Sequence, residues 1–119
     1  MRARTLAHLP TDLPAYAPGR IHPVDPDDWS VPDALAPTGV LIELPRYALD
    51  LRTRETAIDP ARVRRLLDGS AVRPIETRPV HLTMHRRALY VVGGHHELAA
   101  HLAGGAERIL VAMHRPAAA

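Results

Sequence analysis

The sequence contains no cysteine, lysine, asparagine, glutamine or phenylalanine. Without cysteine, disulfides, thiolate metal sites and cysteine nucleophiles are excluded together. Without lysine there is neither Schiff-base nor P-loop lysine chemistry. All fifteen basic residues are arginine, a composition that follows GC-rich bacterial or phage coding. The isoelectric point of about 9.7 therefore reports arginine in place of lysine. A net charge of +2 is too small to announce nucleic-acid binding by itself. Aromatic residues are limited to Trp29, Tyr16, Tyr47 and Tyr90, so the core must be Leu, Val, Ile and Ala. No segment approaches the roughly 18 consecutive apolar residues of a membrane span. Arg2 and Arg4 precede no apolar run, so a cytoplasmic protein without a secretory leader or membrane partner is expected.

At 119 residues the chain suits one domain with one modest core. Seven of its twelve prolines fall in residues 1–39, which rules out a long helix or a central strand there. This stretch is expected to form an extended arm, with a turn after Asp25-Pro26, docked on the domain through Trp29. From Val40 the texture changes. Val40, Ile42 and Leu44 alternate as in a half-buried strand. Asp59 and Pro60 open a helix that Gly69 closes, with Val63, Leu66 and Leu67 as its apolar stripe. "PIETRPVHLTM" reads as one strand, with Val80, Leu82 and Met84 on one face and His81, Thr83 and His85 on the other. Arg86-Arg87 turn the chain into "ALYVV". A helix from about His95 to Ala103 and a strand "RILVAM" complete a β-α-β-β-α-β order over residues 40–119.

The junction "VVGGHHELAAH" is where chemistry is expected. A strand that runs into two glycines and then a helix leaves amide N–H groups pointing outward at the helix N-terminus, a ready anion site. Metal binding, and a plain tight turn with the histidines as solvated first-turn residues, are the competing readings. Glu97 and His101 stand at i,i+4, but His96 and His101 diverge by roughly 140° around a helix, unlike the spacing in zinc-protease helices.

The run from "DPARVRRLLDG" through "RPIETRPVHLTM", "GGHHELAAHLAGG" and "RILVAM" resembles the ParB N-terminal/sulfiredoxin superfamily. The shared features are Gly69, Arg73-Pro74-Ile75, Gly93-Gly94, Ala99-Ala100 and Gly105, in the same order. The resemblance implies an α+β domain whose glycine-arginine box cradles nucleotide phosphates, with CTP or ATP and Mg as the cofactor class. It places Gly93, Gly94, His95 and His96 around the phosphate, with Arg73 near the mouth. The family's phosphate-binding arginine falls on Glu97, which reverses the charge and is expected to weaken or abolish CTP and ATP binding. The family's sulfiredoxin nucleophile falls on His95, which excludes that activity.

Two functions follow from this reading. One is a ParB-like binding module for a nucleotide or small phosphorylated ligand, associated with DNA as an accessory protein. The other is a metal-dependent nuclease or phosphoryl-transfer enzyme in which Glu97 and His101 hold the metal. Residues 40–119 carry twelve Arg against eight acids, so DNA contacts through Arg52, Arg54, Arg62, Arg64, Arg65, Arg86 and Arg87 are expected to be weak and salt-sensitive. An exposed hairpin and a docked arm leave a homodimer open.

Overall fold

A computed structural model describes residues 8–33, 39–69 and 75–115; Arg73 lies outside the described residues. It is an α+β arrangement of two helices and a six-stranded mixed sheet. The strands are β1 (Ile21–Pro23), β2 (Val40–Pro45), β3 (Leu51–Thr53), β4 (Val80–His85), β5 (Ala88–Gly93) and β6 (Arg108–His114). They lie in the order β1-β3-β5-β4-β6-β2. The β1–β3, β3–β5 and β4–β6 pairs are parallel, whereas β4–β5 and β6–β2 are antiparallel.

Helix α1 (Pro60–Leu67) starts where Asp59 accepts a hydrogen bond from the Ala61 N–H at 3.0 Å, with Pro60 at its first position. This cap satisfies one of the four amides that a helix start leaves without partners. Helix α2 (His95–Ala103) packs on α1, on β4 and on a 3-10 turn at Leu13–Tyr16. Val63, Leu66, Leu98, Ala99 and Leu102 from the helices meet Val80, Leu82, Val91, Ile109 and Val111 from the sheet. The core is aliphatic apart from Tyr16, whose hydroxyl donates to the Pro10 carbonyl at 2.7 Å.

Residues 8–33 contribute to this core directly. Leu13, Tyr16, Ile21 and Val31 are buried, and the Leu13 N–H donates to the Thr56 carbonyl at 2.7 Å. Pro23 sits in β1 because β1 is an edge strand, where a missing N–H breaks no ladder. A turn at Pro26–Asp28 follows, capped by the Asp25 carboxylate.

Several expectations need correction. Among the described residues, strand β2 pairs only with β6, and of the alternating Val40, Ile42 and Leu44 only Leu44 packs on the core: Val40 is 65% and Ile42 38% exposed. "PIETRPVHLTM" is not one strand. Ile75–Thr77 form a 3-10 turn, and the strand starts only after Pro79, at Val80. Met84 points to the same face as Leu82 but is 52% exposed, while Thr83 on the other face is buried and donates to the His114 carbonyl. The three-residue strands β1 and β3 have no counterpart in the sequence reading. Among the described residues, no helix is long and apolar enough to cross a membrane.

Candidate functional site

The start of α2 is built by a bulge and a left-handed glycine. His81 faces Gly93 across the β4–β5 ladder, whereas Leu82 faces Val91, so Val92 is the extra residue of a bulge that bends the strand just before the helix. Gly94, the residue preceding α2, has φ 74° and ψ 33°. A Cβ there would lie 3.0 Å from the Pro79 carbonyl oxygen and 3.2 Å from the Val80 Cα. Both backbone conformation and space therefore demand glycine at 94. No side chain among the described residues caps the helix that follows, so its first amides rely on water or a ligand.

The three residues after Gly94 point in different directions. His95 sits with its Nδ1 3.4 Å from Glu55 Oε2, and its Nε2 is buried without a hydrogen-bond partner among the described residues. Burial lowers its pKa, with Glu55 acting in the opposite sense, so the ring is neutral near pH 7. His96 turns towards α1, where its Nε2 accepts a hydrogen bond from the Asp59 N–H at 3.0 Å. An accepting nitrogen must be unprotonated, which agrees with a pKa lowered first by burial and then by Arg62. Glu97 does not present a bare carboxylate. It lies 3.4 Å from Arg78 Nη1, with only 13% of its side chain exposed.

His101 engages the same residue from one turn later: its Nε2 meets the Arg78 carbonyl oxygen at 3.0 Å. The i,i+4 pair of Glu97 and His101 therefore anchors the segment before β4 rather than opening towards a metal. Among the described residues, no group of three or more His, Cys, Asp or Glu could hold a metal ion.

A small cavity of about 120 Å³ opens beside His95, lined also by Trp29, Asp33, Arg54, Glu55 and Val92. Trp29 stands edge-on to Tyr90, with ring centroids 5.3 Å apart, and the Arg54 guanidinium lies 4.9 Å from the Trp29 ring centroid. Sequence reasoning missed Trp29, Asp33 and Glu55 as site residues. They come from two segments that only β1–β3–β5 pairing brings to α2, and no local motif marks them. Arg54, expected as one of many surface arginines, is instead the cation of this cavity.

The remaining arginines are spread over separate elements. Arg62, Arg64 and Arg65 are on exposed positions of α1, and Arg64 and Arg65 already have interaction partners. Arg86 and Arg87 form the β4–β5 turn with φ of 50° and 66°. On the sheet face opposite the helices, His81 Nδ1 and His114 Nε2 are hydrogen-bonded at 2.8 Å. The His81 pKa is lowered by burial and by His114, with Glu97 opposing. No family model, curated protein or solved structure matches the chain.

Proposed function

We propose that the chain is a ligand-binding module of the ParB/sulfiredoxin type, which takes the acidic group of a small phosphorylated ligand at the start of α2. The observation that carries this reading is the uncapped helix start behind left-handed Gly94, opening beside a cavity that holds Arg54. Helix-start amides and one guanidinium suit a single phosphoryl or carboxylate group.

The same geometry argues against a whole nucleotide. Ligand pockets for drug-sized molecules run to roughly 300–1,000 Å³, several times the space of about 120 Å³ beside His95. Asp33 and Glu55 line that space with Arg54, and a neutral His95 adds no positive charge. At an effective dielectric of about 20, two like charges some 6 Å apart repel by roughly 3 kcal/mol, so each added phosphate charge is penalised. A monoanion is tolerated far better than CTP or ATP. Glu97 is already paired with Arg78. Removing that carboxylate leaves Arg78 without this partner, so Glu55 is the better residue to neutralise.

Trp29 lies in the cavity wall and is the only tryptophan, so its fluorescence reports occupancy. Titration with inorganic phosphate should give a saturable change, larger affinity in Glu55→Gln, and loss in Arg54→Ala. CTP or ATP with Mg should bind no more tightly than phosphate through this site. An unresponsive Trp29 with every phosphorylated probe would refute the proposal.

A further inference from the structure

A larger opening lies elsewhere on the molecule. A cleft of about 650 Å³ is lined by Tyr16, Arg20, Arg46, Tyr47, Glu107 and Arg108, among others. Its volume falls in the range of small-molecule sites. It adjoins the C-terminal end of α2, since Arg46 Nη1 donates to the Leu102 carbonyl at 3.0 Å. A nine-residue helix is about 13 Å long, which separates this cleft from the His95 cavity.

The arginines are held with donors to spare. Pro45 ends β2, and the Arg46 N–H donates to the Glu107 carbonyl at 2.7 Å, tying the turn at Arg46–Ala48 to the start of β6. Arg20 Nη1 donates to the Tyr47 and Leu49 carbonyls at 2.9 and 3.4 Å. Both guanidiniums are thus fixed through Nη1, and their Nε and Nη2 groups meet no acceptor among the described residues. Arg108 is exposed and forms no ion pair among the described residues, and neither does the Glu107 carboxylate. Three cations against one anion give the cleft a local charge of about +2. Tyr47 stands over it 78% exposed, an open aromatic face in a chain with few aromatics.

We propose that this cleft binds a nucleoside monophosphate, with the phosphate on the arginines and the base stacked on Tyr47. Pinned guanidiniums recognise phosphate oxygens at little conformational cost. Stacking on an exposed tyrosine needs no sequence-specific readout of the base.

The test is calorimetry on the full chain at low salt with AMP, ribose 5-phosphate and inorganic phosphate. AMP should bind more tightly than ribose 5-phosphate by about 5- to 100-fold, the range that base stacking supplies. Tyr47→Ala should erase that preference and leave phosphate affinity intact. Arg108→Ala should weaken AMP by about 10-fold or more, and should weaken all three probes to that extent when Arg54→Ala has silenced the α2 site. Both Tyr47→Ala and Arg108→Ala are at exposed positions, so the fold is not at stake. Arg54→Ala, at the other site, should leave AMP binding unchanged. Equal affinity for AMP and ribose 5-phosphate, or AMP binding unaffected by Tyr47→Ala and Arg108→Ala, overturns the proposal. So does AMP binding that is lost in Arg54→Ala.

Discussion

Replacing Gly94 by alanine tests whether the strand-to-helix junction is built as described. Two costs add at this position. A non-glycine residue in the left-handed region costs about 1–2 kcal/mol, and Gly94 has φ 74°. The new Cβ would also press on the Pro79 carbonyl at 3.0 Å and the Val80 Cα at 3.2 Å. Both are backbone atoms and cannot rotate away, so an overpacking cost of about 1–3 kcal/mol applies. Gly105 is the internal control, because it has φ 77° and a Cβ added there would meet nothing within 4 Å. Gly105→Ala should therefore carry the conformational cost alone. The difference between the two variants is about 1–3 kcal/mol, or roughly 0.7–2 M in urea midpoint at an m-value near 1.5 kcal/mol/M. Equilibrium urea unfolding followed by circular dichroism measures it. A Gly94→Ala variant no less stable than Gly105→Ala would refute the close approach of the β4 entry to the α2 start.

Three further outcomes follow from the packing and the titrating groups. Leu13→Ala should cost about 2–5 kcal/mol because Leu13 is fully buried, whereas Leu41→Ala on the exposed strand β2 should change stability by less than about 0.5 kcal/mol; denaturation of the pair checks both. The double substitution Arg86→Asn with Arg87→Gly should stabilise the fold by about 1 kcal/mol, since both residues hold positive φ in a two-residue hairpin turn that favours Asn-Gly; an unchanged urea midpoint would count against it. His81, His95 and His96 all have folded pKa values below the ordinary 6.5, so the unfolded chain binds more protons and stability rises with pH. The melting temperature should hold from pH 8 to about 6.5 and fall as the pH drops further, with a shallower fall in His95→Gln; a flat profile down to pH 5 would contradict the burial of these rings.

What was legible in sequence was local. Asp59-Pro60 announced α1 because a cap and a proline act within one turn, and Gly93-Gly94 announced the start of α2 because few other residues tolerate such a turn. The strands β1 and β3 were not legible: each has three residues, too few for periodicity to register, and each exists because it pairs with a neighbour. Strand β2 misled for the opposite reason. Its alternation is real, but β2 is the last strand of the sheet, where Val40 and Ile42 stay exposed. The site divides in the same way. Gly94 and His95 could be found from the junction itself, whereas Arg54 and Glu55 reach His95 only through the parallel pairing of β3 with β5. The direction of Glu97 depended on Arg78, a residue nineteen positions away.

The central claim is that the first amides of α2 receive an anion. Amide chemical shifts of the 15N-labelled protein, followed while inorganic phosphate is added at constant ionic strength and pH, test it most directly. The account predicts saturable shifts at His95, His96 and Glu97, accompanied by the Trp29 indole and reduced in Arg54→Ala. Shifts confined to Arg46, Tyr47 and Arg108, with the α2 amides unmoved, would contradict it.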